Sequence, residues 1–300
     1  MKTFRKLPKN INLQDLIKQQ DGFFWQGDVL TLLDSIKEKQ IFDLVVTSPP
    51  YNIGKSYESI QDMDKYFLFQ EQVIKGIDIN LKSTGAICWQ VGNYIDKKNK
   101  SIYPLDFGFH EIFNGLGYKL KNRIIWKFGH GMHAKKRLSG RYETILWYVK
   151  SDNFTFNLDE IRVPSKYPKK KFYKGPKKGQ ISSNPLGKNP EDVWEIPNVK
   201  GNHIEKTLHP CQFPIGLIER LVLGMSNPNE VIFDPYMGVA SAGLAALMHK
   251  RKFIGAEINA DYVNEGLKRM KALKLGSLKY RSHDKPIYDH RLSSLSGEDV

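Results

Sequence analysis

Ile41–Gly54, IFDLVVTSPPYNIG, is the stretch around which the rest of the chain is arranged. Ile41–Val46 reads as a short buried strand, and Thr47-Ser48-Pro49-Pro50-Tyr51 stops it abruptly. Pro49 and Pro50 have no backbone N–H to donate, and their fixed φ holds the neighbouring carbonyls in set directions. Such a corner cannot extend a sheet. It presents Ser48 Oγ, prolyl carbonyls and an aromatic ring at the carboxyl end of a strand, where open α/β sheets place their ligands.

Towards the N-terminus, Ile11–Gln20 predicts a short helix and Phe23–Gln26 the end of a strand. Gly27-Asp28 is a turn into a helix over Val29–Lys37, with Leu30, Leu33 and Ile36 on one face. Asp28 is either that helix's N-cap or a carboxylate that accepts hydrogen bonds from a ligand amine. Beyond the corner, KSYESIQDMDKY is a polar loop placed to close over a substrate, leading into a helix over Met63–Ile79. Tyr57 in that loop either stacks in the site or anchors the helix. Leu81–Val91 opens with a turn at Ser83–Gly85 and continues as a buried strand. Pro104–Leu116 is helical, and Tyr118–Phe128 and Arg141–Val149 are strand candidates.

Charge sets the partner. The 300 residues carry 46 Lys+Arg against 32 Asp+Glu, a net charge of +14, which points to nucleic acid or an anionic surface. Glu143 is the only acidic residue between Lys119 and Lys150, and the polar loop Gly129–Gly140 in that window carries Lys135, Lys136 and Arg137. From Arg162 to Lys178 every charged residue is basic, Lys169, Lys170, Lys171, Lys177 and Lys178 among them, with Tyr167, Phe172 and Tyr173 interspersed. Such a run neutralises phosphates. It lies between two halves of one sheet domain, as an inserted recognition segment does. Cys88 and Cys211 form no pair motif, so neither a disulfide framework nor a Cys-rich zinc site is expected, and no metal. Without an apolar leader or a long apolar run, the expectation is a cytoplasmic protein with no membrane partner.

The second anchor is Val231–Asn259. Val231–Phe233 predicts a strand, Asp234-Pro235-Tyr236-Met237-Gly238 a tight turn, Val239–Lys250 a helix, and Phe253–Ala256 a strand ending at Glu257. Gly238 allows close backbone approach, and Glu257 suits ribose hydroxyls. An acidic residue opens the turn and no Lys-Ser/Thr follows, so a pyrophosphate is disfavoured and a nucleoside with a cationic substituent fits better. S-adenosylmethionine meets that description. A plain strand-to-helix turn is the alternative. Before this unit, Thr207-Leu208-His209-Pro210 starts a helix that runs to about Met225, with Pro210 or Pro214 in its first turn.

Together these motifs resemble the DNA amino-methyltransferases. Thr47-Ser48-Pro49-Pro50-Tyr51 is similar to their [Asp/Asn/Ser]-Pro-Pro-[Tyr/Phe] catalytic motif, and Phe233-Asp234-Pro235-Tyr236-Met237-Gly238 to their Asp-Pro-Phe-x-Gly cofactor motif. The catalytic motif comes first with the basic insertion between, the order of the beta group. Gln26-Gly27-Asp28, Arg141-Tyr142-Glu143 and Lys206–Pro210 resemble further elements of that group, over roughly Phe23–Leu267. Met237-Gly238-Val239-Ala240-Ser241 departs from the family's Gly-Ser-Gly-Thr.

The resemblance implies a Rossmann-like S-adenosylmethionine-dependent methyltransferase sheet with an inserted basic target-recognition region. Its parts are a catalytic half (1–149), the insertion (150–205), a cofactor half (206–280) and a polar tail (281–300). It implies catalysis by Ser48, Pro49, Pro50 and Tyr51, cofactor binding by Asp28, Thr47, Phe233, Asp234, Tyr236, Gly238 and Glu257, and DNA binding by the eight basic residues named above. Ser48 Oγ and the Pro49 carbonyl would accept the two hydrogens of an exocyclic amine, and Tyr51 would stack on a base flipped from the duplex. With no His, Asp or Glu beside it in sequence, Ser48 is not expected to act as a strong base. The absence of a Pro-Cys motif disfavours C5-cytosine chemistry. Serine at position 48 usually accompanies N4-cytosine methylation. N6-adenine methylation is the alternative, and an inactive DNA-binding relative a further one. The implied partners are double-stranded DNA, a restriction endonuclease acting on the same site, and a second copy of the chain.

Overall fold

The computed structural model describes residues 1–6, 13–36, 39–55, 58–129, 131 and 133–286. Tyr57, the first two residues of the Ile11–Gln20 helix and residues 287–300 of the tail lie outside them. In chain order the elements are β1 (Lys2–Phe4), α1 (Leu13–Gln20), β2 (Gly22–Gln26), α2 (Val29–Ser35), β3 (Phe42–Thr47), α3 (Met63–Asn80), β4 (Leu81–Val91), β5 (Asn93–Ile95), β6 (Ile102–Pro104), α4 (Leu105–Gly115), β7 (Lys119–Lys127) and β8 (Tyr142–Val149). After a 3₁₀ turn at Leu158–Ile161 come β9 (Val193–Glu195), α5 (Ile215–Met225), β10 (Val231–Asp234), α6 (Ser241–Met248), β11 (Lys252–Glu257) and α7 (Ala260–Lys274).

One nine-stranded sheet runs β1-β2-β11-β10-β3-β4-β8-β7-β9. Every neighbouring pair is parallel except those of β8, which runs against β4 and β7. β3 is apolar in sequence because both its faces are covered. Phe42 and Val45 pack in the core beneath α1–α4, while Leu44 and Val46 pack beneath α5–α7. This pattern makes IFDLVV a central strand, and it places the corner after Thr47 mid-sheet.

Direction decides what meets at the carboxyl edge. β2, β11, β10, β3, β4, β7 and β9 all end there, and β8 alone begins there. The segments after Gln26, Thr47, Val91, Asp234 and Glu257 therefore converge with Lys127–Tyr142 and with the segment following β9.

The structure corrects several expected boundaries. Ser83–Gly85 lies within one continuous strand, where the pairing with β3 slips between Phe42 and Leu44, so the small residues make a bulge instead of a turn. α5 starts only at Ile215, after Pro214, because Thr207–Phe213 is held as a loop by the side chain of Gln212, which accepts from both the N–H and the hydroxyl of Thr207. α6 starts at Ser241, preceded by Ala240 at φ +62°. The start of the expected tail is bound to the body: Arg281 N–H donates to Glu205, and His283 N–H to Glu219.

Candidate active site

A cleft of about 500 Å³ opens at the carboxyl edge. It is lined by both anchors, with Ser48, Pro49, Pro50 and Tyr51 on one side and Asp234, Tyr236, Gly238 and Glu257 on the other. The two are 187 positions apart in sequence but one hydrogen bond apart in space, because β3 and β10 pair: Thr47 Oγ1 donates to Asp234 Oδ1 at 2.6 Å.

The proline corner is rigidly held. Tyr66, on α3, donates its hydroxyl to the Pro50 carbonyl at 2.7 Å. Asn52 sits at φ +60°, a conformation asparagine tolerates. The Glu58 carboxylate takes the N–H groups of Asn52 and Ile53, and the Asn52 side chain bridges to the backbone of Gln61. The loop after the corner is thus folded back onto it.

Ser48 Oγ donates to Tyr51 Oη at 3.2 Å, and Tyr51 Oη donates to Glu143 Oε2 at 3.3 Å. Gln90 Nε2 donates to the same oxygen at 2.5 Å. Burial raises the Glu143 carboxyl above its ordinary range, against the pull of Gln90, Tyr51 and Lys200. Gly92 leaves the room: a Cβ there would stand 3.0 Å from the Tyr51 ring and 3.3 Å from Glu143. The neighbours of Ser48 in sequence offer it no carboxylate; across the sheet, Tyr51 links it to one. Glu143 is distant in sequence but enters at the start of β8, the one strand that begins at this edge.

On the cofactor side, Asp234 is buried, and that burial pushes its carboxyl up to about 7. The Thr47 hydroxyl and the Tyr236 N–H oppose the rise, and Glu257 adds to it. Tyr236 donates its hydroxyl to Gln70 at 2.9 Å. Gly238 has φ +49° and lies against the His209 ring, where a Cβ would come within 3.2 Å of Nε2. Glu257 accepts the N–H groups of Gly238 at 3.0 Å and Asn259 at 2.8 Å, which leaves lone pairs on both oxygens for a ligand. Asp28 caps α2 by accepting from the Thr31 N–H at 3.2 Å, and it also lines the cleft.

Two expected cofactor residues do not reach the cleft. Phe233 points into the core and stacks on Phe42 at 4.2 Å, and Thr47 is fully buried and acts through Asp234. The sequence places His209 at the start of a helix. It lines the cleft, packs on Tyr262 at 4.5 Å, and is pushed down to about 4 by burial and then by Lys206.

The expected DNA-binding residues are all exposed, and none lines the cleft. Lys135, Lys136 and Arg137 lie in the loop between β7 and β8, at the carboxyl edge. Lys169, Lys170, Lys171, Lys177 and Lys178 lie on an arm closed by the bridges Val163–Lys188 and Lys171–Ile181. Several other basic residues of the 119–150 window are committed to the fold: Lys119 pairs with Asp152, Arg123 with Asp106, Lys127 with Glu195 and Lys150 with Asp78. The lysines that do line the cleft are Lys55 and Lys200.

The donor set fits a cationic nucleoside. Carboxylates of Asp28, Asp234 and Glu257 and the rings of Tyr236 and Tyr262 face one cavity. Among the described residues, no group of three or more His, Cys, Asp or Glu could hold a metal, and no helix is long and apolar enough to cross a membrane.

Known proteins resemble this chain in sequence and fold. The N6/N4 DNA methylase family model matches residues 42–268. The type II methyltransferase M.BglII of Bacillus subtilis is 45% identical over 247 residues, 82% of this chain and 68% of that protein. The DNA adenine methyltransferase YhdJ of Escherichia coli (strain K12) is 33% identical over 249 residues, 81% of each. Among solved structures, PvuII DNA methyltransferase (cytosine-N4-specific) superposes with a TM-score of 0.65 at 20% identity, over 88% of this chain and 94% of that one.

Proposed function

This chain belongs to the N6/N4 DNA methylase family, and from that premise we propose that it methylates the exocyclic N4 amine of a cytosine flipped out of duplex DNA at a specific site. The observation that carries the reading is the shared cleft: a serine hydroxyl on the proline corner faces the same cavity as the Asp234–Glu257 turn. Serine in place of aspartate at position 48 favours cytosine.

The cofactor half would hold S-adenosylmethionine, with Glu257 on the ribose and Asp28 and Asp234 as the balancing carboxylates. When bound, that group would supply an electrophilic methyl on a sulfonium for the amine lone pair to take. The chain's own residues solve the other half of the problem. An exocyclic amine is a poor nucleophile while its lone pair is delocalised into the ring. Ser48 Oγ turns its own hydrogen toward Tyr51, so its lone pairs can accept one amine hydrogen. The Pro49 carbonyl accepts the other, and the nitrogen becomes pyramidal. Tyr66 keeps this corner in place through the Pro50 carbonyl.

Lys135, Lys136, Arg137 and the lysines of the 163–188 arm would hold phosphates on either side of the target. The interval 150–205 is the recognition insertion in this reading, and 1–149 and 206–280 are the catalytic and cofactor halves. The kinship with a type II methyltransferase supports an endonuclease partner that cuts the same sequence.

Identity with an adenine methyltransferase over most of the chain favours a second reading, N6-adenine methylation. One experiment separates the two. Duplex DNA methylated by the protein is digested to nucleosides, and the modified one is identified by mass. N4-methylcytosine is expected; N6-methyladenine alone overturns the cytosine assignment, and no modification in either base overturns the activity.

A further inference from the structure

The amine that receives the methyl holds one proton too many as the N–C bond forms, and that proton must leave. Ser48 cannot keep it, because a serine hydroxyl is far too weak a base. The hydrogen bonds of Ser48 lead elsewhere. They run from Ser48 Oγ to Tyr51 Oη and on to Glu143 Oε2, and Gln90 holds that oxygen from the far side. We propose that Glu143 is a positioning residue for proton removal, the terminus of a Ser48–Tyr51–Glu143 relay that draws the surplus proton from the target amine. This rests on the methyl-transfer reading above.

The step balances. One N–H bond of the methylated amine breaks, and its electron pair stays on nitrogen. The proton bonds to Ser48 Oγ as the Ser48 hydrogen passes to Tyr51 Oη and the Tyr51 hydrogen passes to Glu143 Oε2. The products are a neutral N-methyl amine and a Glu143 carboxylic acid, and both hydroxyls end as they began. Glu143 lines the cleft and returns its proton to solvent there.

Three features suit the carboxylate to this end. Burial raises its proton affinity, so it accepts a proton more readily than an ordinary glutamate, while Lys200, the cation whose field reaches it, keeps the ionised form accessible. Gln90 fixes the receiving oxygen by donating to it. Gly92 leaves room for both side chains to meet: a Cβ there would crowd the Tyr51 ring at 3.0 Å and Glu143 at 3.3 Å. The links of 3.2 and 3.3 Å are long, as catalytic hydrogen bonds often are before substrate closes the site. The relay also gives a serine corner what an aspartate would carry itself, a negative charge directed at the amine, here delivered through a phenol.

The test compares wild type with Glu143→Gln, Glu143→Asp, Tyr51→Phe and the Tyr51→Phe/Glu143→Gln double variant. Glu143→Gln keeps an acceptor for Tyr51 but cannot take a proton. Its single-turnover methyl transfer should fall by about 10²-fold or more, with dissociation constants for DNA and S-adenosylmethionine unchanged. Glu143→Asp should recover part of the rate. The double variant should be no slower than the worse single one, because both break one chain. A readout without ligands is carbon-13 NMR of the carboxyl groups, with the Glu143 resonance assigned by its loss in Glu143→Gln. It should titrate above the ordinary glutamate range and move in Tyr51→Phe. An active Glu143→Gln, additive losses in the double variant, or a resonance indifferent to Tyr51 overturns the relay while the methyltransferase stands. A wild type that methylates neither base overturns the reading and the relay with it. If Glu143→Gln does not fold, Tyr51→Phe carries the test: a wild-type single-turnover rate in that variant overturns the relay.

Discussion

Asp234 offers the sharpest test of how the cofactor half is built. Its carboxyl is buried between β3 and β11 and rises from an ordinary 3.8 to about 7. Below about pH 4 the folded and unfolded chains both hold the proton. Between about pH 4 and 7 only the folded chain holds it, so stability falls as pH rises through that window, and above it both are ionised and the loss is complete. At about 1.4 kcal/mol per pH unit, the Asp234 contribution to the fall is about 4 kcal/mol. Asp234→Asn keeps an oxygen for the Thr47 hydroxyl and the Tyr236 N–H but cannot ionise. Urea unfolding of both proteins at pH 4 and pH 8 should show the variant gaining on wild type by up to about 4 kcal/mol across the interval. A gain that stays below about 1 kcal/mol refutes the raised carboxyl. The same residue should link ligand to pH. A cation entering the cleft favours ionised Asp234, so S-adenosylmethionine affinity should rise between pH 6 and 8, with proton release visible when titration calorimetry is repeated in buffers of different ionisation heat. An affinity flat with pH, or equal pH dependence in Asp234→Asn, would remove Asp234 from the cofactor site.

Three more outcomes follow from the geometry. Gly22→Ala places a Cβ at φ +117° and 1.7 Å from the Phe253 carbonyl; it should cost about 3 kcal/mol or more by parting β2 from β11, and an unchanged melting temperature would contradict it. Tyr66→Phe removes the hydrogen bond to the Pro50 carbonyl and should cost about 1 kcal/mol; methyl transfer should slow while DNA affinity holds, and full activity would mean the corner needs no such anchor. Replacing Lys169, Lys170, Lys171, Lys177 and Lys178 by Gln should flatten the plot of log affinity against log salt by about 0.9 per lost phosphate contact. Lys119→Gln, whose lysine pairs with Asp152, should leave that slope alone, and equal slopes in all three proteins would place the arm away from DNA.

Much of the framework was legible because local pattern and burial agree. β3, β8, β10 and β11 are largely apolar runs, β7 is an apolar–basic mixture, and each emerges within a residue or two of its expected limits. What stayed hidden depends on pairing across the chain. The resemblance marks Arg141-Tyr142-Glu143 as a motif, but the contact of Glu143 with Tyr51 follows only from the reversal of β8 beside β4. The strands β5 and β6 are a hairpin of only three residues each, and β9 is three residues paired with β7, flanked by the hydrogen bond from Trp126 to the Ile196 carbonyl at 2.8 Å. The resemblance makes Phe233 a cofactor contact because it belongs to the motif around Asp234. Alternation along β10 sends it into the core and sends Asp234 to the cleft.

The reversed strand also explains why a proline corner can serve as an active site. A parallel sheet presents only strand ends at its carboxyl edge, and the residues there are the first of flexible connections. β8 brings the start of a strand to the same edge. Thr144 pairs with Val91 and Ile145 with Gln90, so Glu143 stands one residue before a continuous antiparallel ladder. A carboxylate in that position is fixed by backbone pairing on β8, as Thr47 is fixed by pairing on β3. Tyr51 joins the two ladders through its hydroxyl. The corner is therefore braced from both sides by sheet.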